Sequence, residues 1–129
     1  MKKVLLLALL LGQLFALTAN KENILNLQKQ NIPIIDIRTP AEWKATGIIP
    51  NALKITFFTQ NGINRNFLYE LKQNNISKSS KFAIICRTGH RSKVATKILK
   101  ENGYNNVIDL EGGMFRLFKS LLKGLKNGK

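Results

Sequence analysis

Hydrophobic and polar positions divide this chain into an apolar leader and an alternation of strand-like and helix-like segments. Val4 to Leu11 is apolar throughout, and after Gly12 and Gln13 the run resumes at Leu14 and ends in small residues at Ala19. Beyond it, Ile24, Leu25 and Leu27 mark a short helix over Asn23 to Lys29. Ile34 to Ile37 is a β-branched strand, Leu53 to Phe57 a second short strand, and Phe67 to Gln73 a helix. Phe82 to Ile85 is apolar at every position, as expected of a strand buried on both faces. Val94, Ala95, Ile98 and Leu99 share one face of a helix over Ser92 to Asn102, which Gly103 stops. Val107 to Leu110 is the next strand, Gly112-Gly113 breaks it, and Met114, Leu117, Phe118, Leu121 and Leu125 recur at helical spacing. Before Asn23 no strand is visible.

Strands that alternate with helices across short turns need crossover connections. The expected architecture is therefore α/β, a parallel sheet of four to five strands with helices on both faces. In such sheets ligands bind beyond the carboxyl ends of the strands. Cys86 falls there, after the most apolar strand and before a helix that begins near Arg91 or Ser92. A cysteine that merely filled the core would more often sit within the strand.

The leader changes how the rest is read. A cationic start, Met1-Lys2-Lys3, an apolar stretch and small residues at its end form the pattern of a secretory signal peptide, residues 1–19. The stretch is shorter than the ~20 residues a membrane span needs, so cleavage after Ala16 or Ala19 is expected, with no stable membrane anchor. Cutting after Ala19 leaves residues 20–129 as one domain, large enough to bury roughly two thirds of its unfolded surface. A monomer in the periplasm is the expected product. With one cysteine in the chain, no internal disulfide can form, so Cys86 is either a filler or a thiol kept for its reactivity.

Formal charge is +14, and +12 once Lys2 and Lys3 leave. Such a field draws small anions and can speed their association by ~10-fold or more at low salt. The lysines run from Lys21 to Lys129 without interleaved aromatics, so a nucleic-acid partner is not expected, and a solvated surface that keeps the domain soluble weighs evenly with steering. The cationic tail from Lys119 carries no legible motif.

Around Cys86 the residue types fit a reactive thiol. Thiolate is the nucleophilic form, and a helix N-terminus together with Arg87, Arg91 and His90 favours negative charge on sulfur. Gly89 can take backbone angles that let successive N–H groups turn inward. Thr88 and Ser92 carry hydroxyls that can reach an anion, although for Ser92 helix capping is at least as good a reading. His90 is the only histidine, and with a single cysteine it cannot build a metal site; it reads as a wall of the loop. No metal and no cofactor is implied.

Three separated motifs, spanning Ile34 to Phe118, together resemble the rhodanese homology domain. Ile35-Asp36-Ile37-Arg38-Thr39-Pro40-Ala41-Glu42-Trp43, with Gly47-Ile48-Ile49-Pro50-Asn51-Ala52, is similar to the family's first signature. Cys86 to Ser92 resembles its active-site loop, and Gly103-Tyr104 through Leu110-Glu111-Gly112-Gly113 its closing signature. The resemblance implies a single-domain thiosulfate sulfurtransferase in which Cys86 carries a persulfide and the amides of Arg87, Thr88, Gly89, His90, Arg91 and Ser92 cradle it. Its partners would be a small anionic sulfur donor and a cyanide or thiol acceptor. The alternative is a carrier that hands its sulfur to a protein acceptor. Four residues separate Cys86 from Arg91, the short ring of sulfurtransferases; phosphatase and arsenate-handling relatives have five.

The first signature also has a reading of its own. Thr39, Pro40 and Glu42 have the spacing of a capping box with proline at the first helical position. Asp36 and Arg38 are expected to give structural support beneath the loop, and Trp43 to pack in the core. Ile48 stands where the family commonly has histidine and Asn51 where it has glycine, so the turn before Leu53 is expected to differ.

Overall fold

The computed structural model describes residues 16–126. Along the chain it places β1 (Ala16–Thr18), α1 (Lys21–Lys29), β2 (Ile34–Asp36), α2 (Pro40–Thr46), β3 (Leu53–Lys54), β4 (Phe58–Thr59), β5 (Gly62–Ile63), α3 (Phe67–Gln73), β6 (Phe82–Ile85), α4 (His90–Glu101), β7 (Val107–Glu111) and α5 (Gly113–Lys126). The expected leader up to Phe15 lies outside the described residues.

Five strands form one parallel sheet in the order β1-β7-β6-β2-β3, while β4 and β5 make a separate antiparallel hairpin. The central position of β6 accounts for its unbroken apolar run, since all four of its residues are buried. Alternation along the strands sends side chains to two cores. Ile35, Ile84 and Val107 meet Phe67 and Leu71 of α3 and Ala95 and Leu99 of α4. On the other face Ile34, Ala83, Ile85, Ile108 and Leu110 meet Ile24 and Leu27 of α1 and Met114 and Leu117 of α5. Helices therefore cover both faces, as the alternation of segments requires.

Several expectations change. The first strand exists but sits inside the stretch assigned to the leader, where its apolar and small residues merge with the pattern before it. Asn51, where the family commonly has glycine, has φ of 67°, a left-handed conformation that asparagine tolerates better than most residues. Trp43 does not join either core. No residue of α2 is buried; the indole stands half-buried with the Lys54 ammonium 5.7 Å from its ring, and its Nε1 lacks a hydrogen-bond partner.

Candidate active site

Strand β6 delivers Cys86 to the carboxyl end of the sheet, where the last ladder bond runs from the Ile37 amide to the Ile85 carbonyl at 3.0 Å. Cys86 is 1% exposed, and its sulfur faces the core that contains Ile84 and Ala95. The chain then turns back on itself. Gly89, at φ of 102°, caps α4 in a left-handed conformation and points its amide at Cys86 Sγ from 3.0 Å. That is the hydrogen bond to this sulfur among the described residues; the amides of Arg87, Thr88, His90, Arg91 and Ser92 do not reach it.

The other loop residues take distinct places. Arg87, Thr88 and His90 are exposed. Ser92 is fully buried at the third position of α4, and its hydroxyl donates to the Gly89 carbonyl at 3.1 Å. It is therefore neither the cap nor a group at the mouth, but a brace that holds the Gly89 turn from below. The helix starts earlier than expected because the left-handed glycine, with no side-chain cap, already sets its first turn.

The glycine pair Gly112-Gly113 closes the loop from the opposite side. The Met114 amide donates to the Cys86 carbonyl at 2.8 Å, and the Phe115 amide to the Arg87 carbonyl at 3.0 Å, so the N-terminus of α5 clamps the loop backbone. This approach is possible because Gly113 has no side chain. At φ of 62°, a Cβ there would stand 2.5 Å from the Cys86 carbonyl oxygen and 2.6 Å from that of Arg87.

Arg91 is bound rather than free. Its Nη1 and Nη2 donate to Glu42 Oε1 and Oε2, each at 2.7 Å, across 49 residues of sequence. Glu42 also completes the capping box of α2, accepting from the Thr39 amide at 3.3 Å while Thr39 Oγ1 accepts from the Glu42 amide at 3.3 Å. The Arg91 guanidinium holds the Glu42 carboxyl at about 2, well below the usual range, against partial burial and with help from Thr39. Arg91 is raised in turn, first by its bonds to Glu42 and, after the opposing effect of burial, by negative charge at Glu42, Cys86 and Asp36. The guanidinium thus supplies field near the sulfur while Nη1 and Nη2 each bond to the Glu42 carboxylate.

Asp36 and Arg38 are both buried and form a forked pair, with Arg38 Nη2 2.8 Å and Nε 3.1 Å from Asp36 Oδ2. The same guanidinium donates to Thr46 Oγ1 at 2.8 Å and to the Gly47 carbonyl at 2.9 Å. Their support for the loop is indirect. They fix the carboxyl end of α2, and α2 presents Glu42 to Arg91. Sequence reasoning found the capping box yet missed the ion pair; the available signal was a carboxylate in one motif and an unpartnered arginine in another.

Two open spaces compete for attention. A cleft of about 640 Å³ between Pro33, Asn51 and Asn75 is lined by no titratable or nucleophilic side chain. A polar one of about 210 Å³ lies against the cysteine loop, between Thr18, Thr88, His90, Lys93 and Arg116. Chemistry favours the second. It is lined by the loop residues Thr88, Gly89 and His90 and by the cations of Lys93 and Arg116, although Cys86 itself lies behind them, buried, and is not part of its wall.

Residues 19–119 match the Rhodanese-like domain family. The chain is 35% identical to a protein named sulfurtransferase from Allochromatium vinosum over 85 residues, which cover 66% of this chain and 70% of that one. It is 32% identical over 99 residues to the adenylyltransferase and sulfurtransferase UBA4 of Debaryomyces hansenii, covering 73% of this chain but only 21% of that protein's length. Among solved structures, a rhodanese-related protein from Thermoplasma volcanium is similar with a TM-score of 0.57 and 26% identity, covering 83% of this chain and 92% of the other. These relatives support a function of the sulfurtransferase type. With its cysteine loop clamped between the ends of two helices, this chain belongs to the rhodanese-like domain family.

Proposed function

We propose that Cys86 takes a sulfane sulfur from a small anionic donor such as thiosulfate, holds it as a persulfide and passes it to cyanide or a thiol. One observation carries the reading: the Gly89 amide points at the buried Cys86 Sγ from 3.0 Å at the carboxyl end of the sheet. In the first half-reaction the Cys86 thiolate attacks the outer sulfur of thiosulfate. The sulfur–sulfur bond of the donor breaks, its electron pair leaves with sulfite, and the new persulfide carries the negative charge on its terminal sulfur. In the second, cyanide or a thiolate attacks that terminal atom. The bond to Sγ breaks and its electron pair returns to Cys86, so thiocyanate or an acceptor persulfide departs and no external oxidant or reductant is needed. Double displacement of this kind gives ping-pong kinetics. Arg87, exposed at the rim, pairs with the anionic part of the donor, while Arg91 contributes charge from its place beside Glu42.

The protein is further proposed to work in the periplasm, on the strength of the cationic and apolar leader at residues 1–19. Among the described residues no helix is long and apolar enough to cross a membrane. The test weighs purified protein after exposure to thiosulfate. Wild type is expected to gain the mass of one sulfur atom and to lose it on adding cyanide. Cys86→Ser should gain nothing and keep its urea midpoint close to that of wild type. A wild-type chain that gains no mass from thiosulfate or any other sulfane donor would overturn the proposal. Sulfur loading without steady-state turnover would replace the enzyme by the carrier that serves a protein acceptor.

A further inference from the structure

The leader offers two cleavage points whose local sequences are of equal quality, with alanine at the cut and leucine three residues into it: Leu14 for Ala16, Leu17 for Ala19. Their tertiary consequences are not equal. Strand β1 pairs with β7 in parallel, Leu17 opposite Leu110 and Thr18 opposite Glu111. Ala19 follows it, fully buried, and its amide donates to the Glu111 carbonyl at 2.8 Å. Ala19 belongs to the core with Ile24, Leu27 and Leu110, and Leu17 packs against that core. The Thr18 carbonyl accepts from the Asn20 amide at 3.0 Å and from Asn23 Nδ2 at 2.9 Å, which ties the strand to α1.

A cut after Ala19 would remove all of this. It would leave β7 as an open sheet edge, with the Glu111 carbonyl stripped of the Ala19 amide it accepts from. It would also create an ammonium group at Asn20, the residue whose side chain caps α1 by accepting from the Asn23 amide at 2.9 Å. Positive charge at a helix N-terminus opposes the helix dipole. Among the described residues, a cut after Ala16 removes one exposed strand residue, and it leaves the ammonium at Leu17, four residues before α1. The consequence reaches the site, because Glu111 immediately precedes Gly112-Gly113, the turn that brings α5 onto the cysteine loop.

We infer that Leu17–Ala19 is part of the working domain, and that export processing cuts after Ala16 and leaves Leu17 as the first residue of the exported protein. This inference rests on the export reading, and its test separates the two. The full-length chain is expressed in a bacterium with a periplasm, recovered from that compartment and weighed intact. A terminus at Leu17 is expected. A terminus at Asn20, or a periplasmic chain still beginning at Met1, overturns the inference and leaves export standing, whereas a chain absent from the periplasmic fraction removes the export reading and the inference with it. The strand's role has its own measurement, thermal melting of chains started directly at Leu17 and at Asn20. The shorter should melt lower by on the order of 10 °C. Equal melting temperatures would overturn the assignment of the strand to the domain, whatever the terminus proves to be.

Discussion

At the scale of single residues, the loop is held by contacts that leave no room for change. Gly113 sits at a positive φ with backbone oxygens where its Cβ would be, and backbone cannot move aside as a flexible side chain can. Gly113→Ala should therefore lower stability by about 3 kcal/mol, measured by urea unfolding, and weaken sulfur loading with it. Glu42 makes a pH prediction. Its carboxyl is depressed to about 2 from an ordinary 4.5, so its contribution is present above pH 4.5 and is lost as pH falls through 2. The pair is about a quarter exposed, and solvent screening reduces its contribution to roughly 1–2 kcal/mol. Glu42→Gln is expected to be less stable than wild type by that amount at pH 7, with the two unfolding curves converging toward pH 2. The cysteine, its glycine and its arginines could all be read from the chain because they lie within seven residues of one another. The bond between Arg91 and Glu42 could not, because nothing local links two positions 49 residues apart.

At the scale of elements, positions come from the ends of helices as much as from their faces. Helix α2 buries no residue, and it is fixed by its capping box at one end and by Arg38 at the other. Strand β7 carries a cost in return. Asp109 is 6% exposed beneath α4 and its Oδ1 has no hydrogen-bond partner. Burial raises its carboxyl above the usual range and the Glu111 charge adds to this, with the Lys93 and Lys100 charges pulling the other way. A raised acid favours folding while protonated, and that benefit disappears as pH climbs past its shifted range. Asp109→Asn should thus gain stability over wild type between pH 4 and pH 7, read from thermal melts across that interval; a gap that narrowed with rising pH would contradict the assignment. Strand patterns in the middle of the chain were legible because β6 and β7 are buried on both faces. β1 was hidden by the leader, whose composition resembles a buried strand, and the β4–β5 hairpin by its brevity, two residues on each side.

For the whole molecule, one sheet separates two cores, and only one of them contains the sulfur. Phe57 is fully buried in that core, edge-on to Phe58 at 4.8 Å and to Phe67 at 5.0 Å. Phe57→Ala should cost about 3–5 kcal/mol by urea unfolding, a large share of the stability of a domain this size. Local patterns along the chain were enough to give the alternation of strands and helices, the parallel sheet they require, the cysteine at the end of the most apolar strand and the short ring of residues after it. All of these depend on neighbours along the chain: side-chain period, glycine at a turn, charge beside a thiol. Only the folded chain reveals that Arg91 is held by Glu42, that Ser92 braces the loop from within, that the N-terminus of α5 clamps Cys86, and that Ala16–Thr18 forms a strand of the sheet. Each of those requires two distant segments to meet, and the physical reason they do is the register of a parallel sheet, which no stretch of sequence carries by itself.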